Sequence, residues 1–329
     1  MTTEMGLASL GLTAFLLTTC CISLVTSLCQ SRLSGWFDGF PPTTRANYWL
    51  ALAVLPFIVG VLSLLMMLSP FLMHLLGFSE DHGHTSRTLF MAYKPWFSGS
   101  DLEWLLLVGT GMVVLALGIK TFQHLHQSRQ SLDALLTLAK PTQADLPIKT
   151  IDSMRPFAIT AGLLRPQVLV SSRLLASLDH AELTAVVNHE LAHRQRRDGI
   201  RLLVAECLSA VHLPETRRQI LAELALAIEQ ACDEVAAQQS GDRLQVAATI
   251  LKITRLVGEE PPLSWALGPS VTGSVAVLRV EGLLRPALPT RSGRGMGLFL
   301  GSMMLLILTL AASDWWHHTI ESILNVTLG

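Results

Sequence analysis

The sequence predicts a mostly α membrane protein in which four transmembrane helices carry one cytoplasmic α+β domain with a small β-sheet. Three observations predict it. Half of the 329 residues are apolar and only 15% are charged, with a positive mean hydropathy, which is the balance of a chain built for a bilayer. Uncharged stretches recur at close to bilayer length. A single region, 120–294, holds 20 of the 24 lysines and arginines and has the size of one ordinary domain.

The uncharged stretches are 6–29, 46–73, 104–119 between Glu103 and Lys120, and 295–312 between Arg294 and Asp314. Each approaches the roughly 20 apolar residues that cross a bilayer. The first is read as a retained span, because Glu4 rather than a basic residue precedes it and its apolar run is too long for a signal peptide. The third, read as a span over about 102–119, is the shortest, and without it the topology inverts. The chain therefore divides into a membrane region at 1–119, a soluble domain at 120–294, and a fourth span with a short tail at 295–329. Arg32 and Arg45 lie in the first loop, Arg87 and Lys94 in the second beside Glu80, Asp81 and Asp101, and no basic residue follows 312. Basic residues mark cytoplasmic flanks. The expected topology is multi-pass in a bacterial-type inner membrane, with the N-terminus outside and the domain in the cytoplasm.

Inside the domain a polar helix near 121–139 is expected to stop at "KPTQADLP". Short β-like runs follow at "PIKTIDS", "PFAIT" and "PQVLVSS", punctuated by glycine and proline. The period then becomes helical, with Asp179 and Glu182 spaced as a capping box. The next helix contains "VVNHELAHRQRRD", residues 186–198, and positions 182, 186, 189, 193 and 197 share one face. His189 and His193 thus project from successive turns and supply two of the protein ligands of a tetrahedral zinc site that keeps a position for water. Glu190 is placed to act on that water as general base. A second helix, about 217–239 and ended by Ser240-Gly241, carries Glu229 between apolar neighbours and Asp233 one turn on. A carboxylate so placed needs a cation, and zinc would be that cation. Asp233 is placed to accept the free ring N–H of a ligating histidine. Spacing alone leaves Glu223 and Glu234 open as the third ligand.

"HELAHRQRRD" followed by "EQACDE" resembles the membrane metallopeptidases of the BlaR/MecR antirepressor type, and more distantly those of the HtpX and CAAX-prenyl-protease type. The likeness extends upstream through "PFAITAGLLRPQVLVSSRLLASLDHAELTAVVNHELAH" and downstream to "VLRVEGLLRP", and three spans before the domain with one after it match the antirepressor layout. The resemblance implies a gluzincin-like zinc endopeptidase holding one Zn2+ per chain on His189, His193 and Glu229. It also implies Glu190 as catalytic base, Asp233 supporting the ligands, and Asp198 anchoring a helix end near Arg194 or Arg201. It implies a cytosolic repressor-like protein as substrate, with self-cleavage a further expectation; quality control of the HtpX kind and a non-proteolytic scaffold are the alternatives. "QVLVS" is expected either to accept substrate as an added strand or to be core sheet.

His212, Asn188 and Arg243 are candidates for the donor that stabilises the tetrahedral oxyanion, since both tyrosines, Tyr48 and Tyr93, lie outside the domain. "RQRR" at 194–197 reads as a solvated face or a contact to lipid headgroups. Five cysteines without a CxxC pair suggest reduced, packed thiols, and no phosphate loop or basic-aromatic run points to nucleic acid. The resemblance lacks one part: only 17 residues follow the last span, so no external penicillin-binding sensor is expected. A signal from outside would enter through loop 77–101, the tail or a membrane or external partner protein; His82, His84, His317 and His318 are candidates there for metal sensing.

Overall fold

A computed structural model describes residues 2–75, 147–258 and 273–286, and parts of 108–141. It is mostly helical with one small mixed sheet. Two long helices come first, α1 (Thr2–Phe37) and α2 (Pro42–Leu75). The residues of α2 from Pro42 to Leu65 form the one helix among the described residues that is long and apolar enough to cross a membrane. Within the stretch expected at 6–29 the apolar helical part is shorter, Ala14–Gln30. The stretch at 104–119 is described only in part, and 295–312 lies outside the described residues. Four spans are therefore more than the described residues contain. Where α1 and α2 meet, Gly60 is required: a Cβ there would stand 2.2 Å from Thr19 Oγ1 and 2.9 Å from the Phe15 ring.

Four strands follow: β1 (Ala139–Pro141), β2 (Ile148–Ile151), β3 (Ala158–Ala161) and β4 (Gln167–Ser171), in the spatial order β1-β2-β4-β3. The last three coincide with the expected β-like runs. β1 falls where the sequence pattern stops a helix: "KP" enters a strand paired antiparallel to β2, Lys140 opposite Thr150. β4 lies between β2, parallel to it, and β3, antiparallel. Its alternate residues serve two cores. Val168 and Val170 pack toward Val186 and Val187, while Leu169 packs with Leu135 and Ile151. Burying each such side chain contributes about 1.5–3 kcal/mol, and burial on both faces is why the run is continuously apolar. "QVLVS" is thus core sheet and not an edge, and among the described residues β3 is the edge strand on that side.

The helices come next: α3 (Ser172–Ser177), α4 (His180–Arg196), α5 (Asp198–Leu208), α6 (Pro214–Ser240), α7 (Arg243–Val257) and α8 (Gly273–Leu284). Asp179 and Glu182 form the capping box of α4, with bonds of 2.8 and 2.9 Å. α6 starts one turn before the expected 217, because Pro214 fits its first turn, and it stops at Gly241, whose φ of 74° suits glycine. Alanines let α4, α6, α7 and α8 approach closely: Ala185, Ala236, Ala237, Ala247 and Ala276 share one buried cluster. Contacts divide the chain into two compact units. Among the described residues, one holds 2–22 and 57–75, and the other joins 23–56, the turn end of the α1–α2 hairpin, to 147–258 and 273–286.

Candidate metal centre

α4 and α6 bring three candidate ligands to one point. His189 Nε2 and His193 Nε2 are 3.2 Å apart. Glu229 Oε2 is 3.4 Å from the first, and its Oε1 is 3.5 Å from the second. A tetrahedral zinc shell with bonds of about 2.1 Å has ligand-to-ligand edges of about 3.4 Å, so the three groups stand at the separations such an ion needs. The donor set, two imidazoles and a carboxylate, suits zinc and leaves a fourth position. Among the candidates for third ligand only Glu229 lies here. Glu234 is held by Arg243 at 2.7 Å, and Glu223 faces Arg45 and Asp38.

Each histidine presents Nε2 to the centre and turns Nδ1 to a buried carboxylate. His189 Nδ1 is 2.9 Å from Asp233 Oδ1, and His193 Nδ1 is 3.0 Å from Asp198 Oδ2. Such backing fixes ring orientation and raises ligand basicity. The Asp233 contact has ion-pair distance but is not aligned as a hydrogen bond. Asp198 does more than anchor a helix end. It meets Arg196 Nε at 3.3 Å and Arg201 at 3.7 Å, and Arg194 is not among its partners. "RQRR" is accordingly not one solvated face: Arg194, Gln195 and Arg197 are exposed, whereas Arg196 turns inward. The tight turn that folds Asp198 back under His193 puts Arg197 in the left-handed region, at φ 53°.

Glu190 is buried, and the Thr160 hydroxyl on β3 lies 2.8 Å from both its carbonyl oxygen and its Oε2. The Cys232 sulfur sits 3.4 Å from His193 Nδ1 and 3.5 Å from Asp198 Oδ2. Burial and the neighbouring carboxylates push that thiol's pKa up, so it stays a thiol.

Arg279 of α8 completes the cluster. Its Nε and Nη2 donate to Asp233 at 2.8 and 2.6 Å, and its Nη1 is 3.0 Å from Glu229 Oε2. Burial alone would raise the pKa of Glu229 and Asp233, but Arg279 and His189 hold both below the usual carboxylate range, with His193 adding to the effect on Glu229. Burial also opposes charge on His189, yet Asp233 and Glu229 outweigh it and push its pKa up to about 10. Arg279 also faces the histidine directly, its Nη2 lying 3.5 Å from His189 Nε2.

Thr160, Cys232 and Arg279 escape motif reading. Thr160 and Cys232 carry no sequence signal. Arg279 does carry one: a lone arginine in "SVAVLRVEGLL" must find an acid if its helix is packed. Two candidates for the oxyanion donor are engaged elsewhere, His212 on the Leu52 carbonyl at 3.2 Å and Arg243 on Glu234 and the end of α8. His82, His84, His317 and His318 lie outside the described residues.

No curated protein and no solved structure matches the chain. A family model does. It ends before α8 and so omits Arg279, but it spans the sheet, both histidines and Glu229. Residues 120–257 match peptidase family M48, which supports a metallopeptidase that uses zinc.

Proposed function

We propose that the protein is an integral-membrane zinc endopeptidase that cleaves a cytosolic target, such as a transcriptional repressor, in regulated proteolysis. The observation that carries this reading is the convergence of His189, His193 and Glu229 at tetrahedral spacing, with Glu190 buried beside them. Bound zinc supplies Lewis acidity toward the peptide carbonyl and toward water. Thr160 fixes Oε2 of Glu190, so the proton of the attacking water is taken at Oε1 and passed to the leaving amine. An extended substrate adds to the outer side of β3, with its scissile bond toward the base that Thr160 holds. Arg279 pairs with Glu229 and Asp233 and so offsets the negative charge that these two carboxylates bring to the site.

The antirepressor-type role, the cytoplasmic placement and an external partner that conveys the signal belong to this proposal. So do self-cleavage and a lipid bilayer around the α1–α2 hairpin. The family match does not single out the antirepressor type, and this favours one second reading, membrane quality control of the HtpX kind. The two separate on substrate range. Wild type and Glu190→Gln, co-expressed with tagged cytosolic repressors and with misfolded membrane proteins, should differ by one discrete repressor fragment present only with wild type. Broad loss of the membrane proteins would support quality control, and no difference between wild type and Glu190→Gln would overturn both.

A further inference from the structure

We propose that Gln230 is a positioning residue through which the α1–α2 hairpin sets the ligand geometry of the metal centre; the proposal rests on the zinc reading of that centre. α6 is two-sided. Glu229 and Asp233 project toward the histidines, whereas Thr216, Gln219, Glu223 and Gln230 keep the spacing of one adjacent face, with Gln230 three residues before Asp233 at the border between the two. Across from that face stand polar residues that a lipid-facing helix would not carry. Ser23, Thr26 and Gln30 of α1 are 4%, 4% and 7% exposed, while Leu24, Val25 and Leu28 on the same turns are 53–73% exposed. Thr216 donates to Ser27 at 2.8 Å, and Gln30 donates to Gln219 at 2.5 Å. Arg201 donates to Asn47 of α2, and His212 lies 3.2 Å from the Leu52 carbonyl. Polar groups on apolar helices seek partners in a packed interior, and here the partners come from the helices of the metal centre.

One contact in this seam leads on to the ligands. Arg45 Nη2 of α2 donates to Gln230 Oε1, and Gln230 Nε2 donates to the Leu278 carbonyl of α8 at 2.8 Å. Arg279 is the next residue. Gly282, one turn further, makes room for the amide, since a Cβ there would stand 3.1 Å from Gln230 Nε2. Both ends of the amide are therefore used, one by the hairpin and one by the backbone that carries Arg279. A displacement of Arg45, which also pairs with Asp38 in the turn of the hairpin at 3.5 Å, moves the guanidinium that touches Glu229 and Asp233. No motif residue is needed for this link, and Arg45 and Leu278 both lie outside the family-matched segment.

Cobalt(II) in place of zinc reports the geometry directly, because its visible spectrum depends on coordination. The full-length protein in detergent is loaded with cobalt. The spectrum and the rate of loss to a chelator are compared for wild type, Gln230→Leu, Arg45→Leu, the double variant and Gln219→Leu, each checked for folding by thermal melt. The expected result is a shifted spectrum and release roughly three- to tenfold faster in both single variants. The double variant should be no worse than the weaker single, and Gln219→Leu should superimpose on wild type. Arg45→Leu keeps the test open if Gln230→Leu does not fold. Spectra and rates equal to wild type in the folded variants, additive effects in the double variant, or an equal shift in Gln219→Leu would overturn the proposal while leaving the zinc reading intact. Wild type that takes up no cobalt would overturn the zinc reading and this proposal with it.

Discussion

The two histidine arms of the centre are built differently. His193 is backed by Asp198, five residues on in the same chain segment, and the turn at Arg197 alone brings them together. His189 is backed by Asp233 on α6, which is itself gripped by Arg279 on α8, so this arm joins three helices. The difference teaches where the centre is strong. One arm is a local device that survives loosening of the domain, and the other exists only when α4, α6 and α8 are packed.

Breaking the long arm should cost most. Asp233 is 2% exposed, and Asp233→Asn leaves Arg279 without its bidentate acceptor. Loss of one member of a buried pair costs about 3–5 kcal/mol, and loss of a carboxylate behind a ligating histidine costs about 10–100-fold in metal affinity. Chemical denaturation and zinc titration of Asp233→Asn should therefore both move, with affinity at the far end of that range. Asp198→Asn tests the short arm. Zinc affinity should fall about tenfold while stability falls less, because Arg196 and Arg201 are partly solvent-exposed and can be hydrated. Equal stability losses in the two variants would erase the distinction between the arms.

Much of this centre was legible in the sequence. The four-residue spacing of His189 and His193 and that of Glu229 and Asp233 are helical periods, and a period specifies a face without tertiary information. The capping box at Asp179 is local in the same sense. What the pattern could not carry is which faces meet. Glu223, Glu229 and Glu234 lie on one helix, and only the packing of α4 against α6 selects Glu229. β4 reads as an edge or as core with equal ease until its two neighbours are known. Arg279 went unread: a lone arginine in an apolar helix asks for an acid, but with 45 residues between them nothing in the sequence makes Asp233 its neighbour. The polar stripe on α1, Ser23, Thr26 and Gln30, was hidden by the overall hydrophobicity of its stretch.

A smaller effect tests the base rather than the metal. Thr160→Val removes the hydroxyl that holds Glu190 Oε2, so turnover should fall about tenfold with zinc content unchanged, and Thr160→Ser should restore it. Zinc lost together with turnover would place Thr160 in the fold of the site instead. The smallest effect concerns the turn of the short arm. Arg197→Gly relieves a left-handed residue that costs roughly 1–2 kcal/mol, so the melting temperature should rise slightly with zinc affinity unaltered; a fall in affinity would mean that the Arg197 side chain helps to place Asp198.

Elemental analysis of the purified full-length protein tests the central claim most directly, with wild type, Glu190→Gln and Glu229→Gln measured side by side. Three protein ligands of which Glu229 is one predict about one zinc per chain in wild type and Glu190→Gln and its loss in Glu229→Gln. Wild type without zinc, or Glu229→Gln that retains a full complement, would contradict the assignment of His189, His193 and Glu229 as the metal centre.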